Sequence, residues 1–81
     1  MTNKILFNLG IEIQNKREEK GYTRNQLCDQ LMYYGINLGE NAIKSYELGR
    51  RNMKASTLIA LAYVLDLDLK NIADNYVNKE M

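Results

Sequence analysis

Residues 23–49 read TRNQLCDQLMYYGINLGENAIKSYELG, and the fold turns on this stretch. Thr23 is a strong helix N-cap, and Leu27, Leu31 and Tyr34 follow it at helical spacing with Cys28 beside them. Gly35 ends that helix, and Ile36-Asn37-Leu38 forms a short connector. Gly39 is a tolerable N-cap for a second helix from about Glu40 to Leu48, which Gly49 stops. At about 100° per residue, Ile43 faces inward with Tyr46 and Glu47 flanking it, while Asn41, Lys44, Ser45 and Leu48 face the other way. That outward arc is mainly polar, short and unbranched.

Upstream, the pattern predicts a helix from about Lys4 to Lys20, capped by Thr2 or Asn3. Ile5, Leu9 and Ile13 recur every fourth residue and Arg17 continues the stripe, so this charge needs a partner. Gly10 falls inside the helix, and Gly21 ends it with Lys20 in the favourable last turn. Downstream, Leu58, Leu61, Ala62 and Leu65 mark the buried face of a helix beginning near Ser56 and closed by Asp66. Asp68 can cap a fifth helix with Leu69, Ile72, Ala73 and Tyr76 on one side. The expectation is an all-α bundle of five helices forming a single domain over residues 1–81, with its core at about 5–77.

Composition narrows the function classes. A chain of 81 residues holds one small core, with no room for a scaffold and a deep catalytic cleft together. It has no histidine, which removes the commonest general base and the commonest zinc ligand at once. One cysteine excludes an intramolecular disulfide. We expect no cofactor, no metal and no enzymatic activity. No apolar run approaches a membrane span, and the first residues lack a signal-peptide pattern, so the expected location is the cytoplasm.

The net charge is only +1, but it is unevenly spread. From Gln14 to Lys54, eight basic residues face five acidic ones, which makes that segment +3. Residues 1–13 are neutral, and residues 55–81, with two bases and four acids, are −2. A basic middle beside an acidic end is a weak electrostatic footprint for a polyanion.

Three segments together resemble the Cro/repressor-type helix-turn-helix family. They are Arg17-x-x-x-Gly21-Tyr22-Thr23-Arg24-x-x-Leu27-Cys28, Ile43-Lys44-Ser45-Tyr46-Glu47-x-Gly49-Arg50-Arg51, and Leu58-x-x-Leu61-Ala62-x-x-Leu65. The resemblance implies a bacterial or phage transcriptional regulator, a repressor by preference. It would bind double-stranded DNA as a homodimer, laying the second helix of the motif in the major groove while the first crosses the backbone. On this resemblance Glu40, Asn41, Lys44 and Ser45 occupy base-reading positions. Asparagine can bond adenine in a bidentate way, and glutamate can accept from cytosine N4. Thr23, Arg24, Gly39, Arg50 and Arg51 occupy phosphate-contacting positions, which set affinity and register more than sequence preference. Arg17 and Glu47 match residues that pair with each other. Cys28 stands where the family has a small apolar residue, and serves as one.

The chain departs from the family in three places. Leu27 and Glu47 are separated by about five residues more than in the short phage repressors, which loosens the turn of the motif and suggests a longer first helix. The extra residues fall at Met32-Tyr33-Tyr34-Gly35-Ile36. Gly39 replaces a hydroxyl-bearing cap, and Glu40 puts a negative charge near phosphates.

Tyr22, Tyr34, Tyr46, Tyr63 and Tyr76 lie on or near apolar stripes, which favours core or interface packing over base stacking. Leu69, Ile72 and Tyr76 are candidates for a dimer contact or for closing the monomer core. The competing function is a protein-interaction module on the same fold, an antitoxin or co-regulator acting through a protein partner.

Overall fold

Five α-helices and no strand make up the described residues, 4–76, of a computed structural model of the chain. They are α1 (Lys4–Glu19), α2 (Arg24–Met32), α3 (Glu40–Glu47), α4 (Ala55–Leu65) and α5 (Leu69–Tyr76). The expected caps of α1, Thr2 and Asn3, lie outside the described residues, as does the side chain of Tyr76.

Local chemistry sets the helix ends. Thr23 begins α2 with a reciprocal capping box: its hydroxyl accepts from the Gln26 amide at 3.1 Å, and its own amide donates to the Gln26 side chain at 2.9 Å. Asp68 accepts from the Asn71 amide at 3.0 Å and starts α5. Three helices stop with the same paired bonds across a left-handed glycine. In α1 these are Gly21 N–H to the Glu18 carbonyl and Tyr22 N–H to that of Arg17, and Gly35 and Gly49 repeat the arrangement. α4 instead ends on Asp66 at φ 56°, a left-handed conformation that a short polar side chain tolerates.

The core is Leu9 and Ile13 from α1, Leu27, Cys28 and Leu31 from α2, Ala42, Ile43 and Tyr46 from α3, Ala60, Leu61 and Leu65 from α4, and Ile72 from α5. α1 packs on α3, α4 and α5, and α2 packs on α3 and α4, so α3 is held from behind by two helices. The α1–α3 crossing is close enough to require glycine. A Cβ on Gly10 would fall onto the backbone carbonyls of Tyr46 and Glu47, 2.8 Å from the carbonyl carbon of the latter. A Cβ on Gly49 would lie 2.7 Å from the Cα of Phe7.

Several expectations need correction. Ile5 is exposed, because α1 buries only Leu9, Gly10, Ile13 and Arg17 and its first turn runs past the core. Tyr34 and Tyr63 are also exposed; they pack on each other edge to face, with ring centroids 5.6 Å apart. Ile72 is buried in the core of the monomer, which leaves it no open face for a second subunit, while Leu69 stays exposed. Of the extra residues, Met32 closes α2, which has 9 residues, and Tyr33, Tyr34, Gly35 and Ile36 lie in the connection over 33–39 and do not extend the helix. α4 starts at Ala55 with Lys54 as its cap, and Thr57 and Ala60 are better buried than the expected Leu58 and Ala62.

Candidate nucleic-acid interface

The centre of the site is a buried charge cluster that the outer surface does not reveal. Arg17 from α1 donates to Glu47 of α3 through Nε at 2.6 Å and Nη2 at 3.3 Å, and its Nη1 donates to the Tyr22 carbonyl at 2.8 Å. Arg24 from the first turn of α2 donates through Nε to the same carboxylate at 3.1 Å. One carboxylate therefore receives two guanidinium groups from two helices, leaving the cluster one positive charge in excess. The donors also satisfy the lone pairs of a group that burial would otherwise penalise. The Arg17 and Glu47 side chains are 9% and 1% exposed, whereas that of Arg24 is 30% exposed.

Arg24, expected as a phosphate contact, also has a place in the fold. Its Nε is committed to Glu47, so Arg24 is first a structural residue, with only the outer part of its guanidinium facing solvent. The Arg51 guanidinium sits 5.6 Å from the centroid of the Tyr46 ring, a contact that steadies the side chain and leaves its charge intact. Thr23 is exposed at the start of α2, but its oxygen is occupied as a helix cap. The first amides of α2 remain without intrahelical acceptors, as at any helix start.

α3 is fixed on one side by Ala42, Ile43, Tyr46 and Glu47, and the residues between them form its outer arc. Glu40, Asn41 and Lys44 are exposed, Ser45 is half-buried, and Leu48 is exposed at the end. The structure thus brings Glu40, Asn41, Lys44 and Ser45 onto one face. Gly39 begins the helix in extended backbone without a side-chain cap, which leaves the N-terminal edge low. Arg50 and Arg51 follow α3 and are exposed, and Lys44 and Arg50 form no ion pair among the described residues.

The sequence reading did not single out the cleft beside this face. Residues 35–38 from the connection before α3 and Arg51, Asn52 and Lys54 from the one after it enclose a polar recess with Tyr46, Ser56 and Thr57. Asn37, Asn52 and Lys54 thereby join the same surface as Arg51. The signal for Lys54 was present in the basic middle segment, but no helical period marks a residue in a connection. Asn37 and Asn52 gave no signal, because only the meeting of two loops distant in sequence brings them together.

Outside this face one ion pair joins two helix ends. Lys20 and Asp66 tie the end of α1 to the end of α4 at 2.8 Å, which raises the lysine pKa and lowers the aspartate pKa through their mutual hydrogen bond. Burial pushes the Cys28 thiol above its ordinary value of 9.0, helped by Asp29 and Glu40. Among the described residues, no group of three or more Cys, Asp and Glu could hold a metal ion. No described helix is long and apolar enough to cross a membrane.

Comparison of the chain with protein-family models, with curated proteins and with solved structures finds no match. The arrangement defines an all-helical protein whose third helix is anchored from behind and presents a polar arc flanked by cations.

Proposed function

We propose that this chain is a helix-turn-helix protein of the Cro/repressor type that binds duplex DNA and regulates transcription, with α2 and α3 as the motif. The carrying observation is the way α3 is mounted. Two arginines from two other helices converge on Glu47, and Gly10 lets α1 lie directly against the α3 backbone. A helix locked this firmly holds Asn41, Lys44 and Ser45 at fixed angles, which is what reading base edges in a major groove requires. Arg50, Arg51 and Lys54 supply cations at one flank, and the start of α2 supplies backbone amides at the other.

In this reading the molecule is a binding protein and not an enzyme. Its most buried carboxylate is saturated by arginines, and the sequence has no histidine to act as base. Two copies are needed, because one α3 reads only half of a site. A two-fold pair reads a pseudo-palindrome with half-sites about 34 Å apart or a multiple of that.

The test is selection of random duplex DNA by the purified protein, followed by sequencing of the bound pool. Recovery of a pseudo-palindrome supports the reading. No enrichment at low salt overturns it and favours the protein-interaction alternative.

A further inference from the structure

Two stretches of this chain carry no charge: the ten residues from Gln30 to Gly39 and the eleven from Ala55 to Leu65. In a protein whose residues are 26% charged, these gaps coincide in space. The connection after α2 meets the outer side of α4, where Tyr34, Ile36, Ser56, Ile59, Ala60 and Tyr63 line one shallow apolar face. Tyr34 packs edge-on against Tyr63 across the junction, which holds both rings in place. Ile59 and Tyr63 stand one helical turn apart on the side of α4 away from Leu61 and Leu65. A helix apolar on both sides is normally covered on both.

We propose that this face, and not α5, is where two copies of the chain meet, with the two-fold axis passing close to Ile59 and Tyr63. Three observations select a second copy as the occupant. The first is charge. In a two-fold contact the same patch meets itself, so any charge near the axis meets its own sign. A face without charge meets no such repulsion and offers nothing to an acidic or basic partner. The second is area. Tyr34, Ile59 and Tyr63 are 52%, 66% and 71% exposed. At ~200 Å² per large side chain they leave about 400 Å² bare. That is half of the ~800 Å² per partner in a standard interface, before any rim is counted. The third is position. Ile36 and Ser56 line both this face and the polar recess holding Tyr46 and Arg51, so the contact adjoins the C-terminal end of α3. An axis there makes the two copies of α3 neighbours. On α5, Ile72 is buried in the core and Leu69 is 38% exposed, against 66% and 71% for Ile59 and Tyr63. The proposal rests on the DNA-binding reading only for this positional argument.

Sedimentation equilibrium of the full chain tests it, comparing wild type with the double variant Ile59→Glu, Tyr63→Glu. Both side chains are exposed, so the helical circular dichroism and its melt should be preserved. We expect wild type at twice the 9.4 kDa chain mass and the folded variant at the single mass, a loss of at least about 100-fold in association. A wild type that stays monomeric, or a variant that still dimerises, overturns the proposal. Should the variant fail to fold, single cysteines in a Cys28→Ser background replace it. A short bifunctional maleimide should join Tyr63→Cys subunits and not Asn15→Cys subunits, and the reverse pattern overturns the contact. DNA selection separates the two readings. A dimer through this face that selects no duplex overturns the DNA-binding reading and leaves the contact standing. A monomer that selects a lone half-site does the opposite.

Discussion

Glu47 accepts from two arginines that do different jobs, and their exposure separates them. Arg17 is buried, and its removal leaves the carboxylate with one donor, deprives the Tyr22 carbonyl of its partner and opens a hole between α1 and α3. Breaking a buried pair costs about 3–5 kcal/mol. Arg24 keeps part of its guanidinium in water, and its contribution is nearer the ~1 kcal/mol of an exposed pair. We therefore expect urea unfolding to show Arg17→Ala destabilised by about 3–5 kcal/mol and Arg24→Ala by about 1 kcal/mol; equal losses would mean that the two arginines share the carboxylate evenly. Cys28 gives a second test. Its thiol pKa is raised by burial, so the folded state keeps the proton at a pH where the unfolded chain has lost it. The thiol therefore withdraws stability as pH rises above the ordinary thiol value, and at lower pH it contributes none of this dependence. Alkylation at mildly alkaline pH should be slow in the native protein and fast in denaturant, with Cys28→Ala reducing the loss of stability on that side. Rapid native labelling would place the sulfur at the surface.

At the level of the helix, propensity and packing make opposite claims on Gly10. An alanine inside α1 should gain up to ~1 kcal/mol from propensity alone. The Cβ has nowhere to go except into the α3 backbone, and overpacking of this kind costs about 1–3 kcal/mol or more. Packing wins, and Gly10→Ala should lower the melting temperature; a rise would show that α1 can lift away without loss. The outer arc of α3 behaves differently, because its side chains hold nothing together. Asn41→Ala with Lys44→Ala should leave the melt within ~0.5 kcal/mol of wild type and abolish preference for the selected duplex in a gel-shift titration. Retained preference would move the reading face elsewhere. The five helices, their glycine stops and the caps at Thr23 and Asp68 were legible because each is set by neighbours within four residues. Gly10 was legible only as a glycine in a helix, since the atoms that demand it lie on α3. Arg24 and Arg51 read as surface cations for the same reason: Glu47 and Tyr46 reach them only in the fold.

Across the whole molecule, charge and apolar surface are segregated. Cations gather beside α3, the uncharged stretches form the α2–α4 face, and the acidic end of the sequence includes α5. If two copies bind one duplex, Arg50, Arg51 and Lys54 neutralise about three phosphates per copy, so log affinity should fall with log salt at a slope of about −5. A fluorescence-anisotropy titration across salt concentrations measures it; a slope near zero would mean that apolar contact, not phosphate, carries the binding. The sequence by itself determined the element order, the glycine stops, the inward and outward sides of α3 and the need of Arg17 for a partner. All of these follow from a 3.6-residue period and from caps that act over one turn. Only the tertiary structure decided that Glu47 takes two arginines, that Ile72 is core while Tyr34 and Tyr63 are surface, and that the two uncharged stretches form one face. Those outcomes depend on where helices cross, and a periodic stripe shows which side of a helix is apolar without showing what, if anything, lies against it.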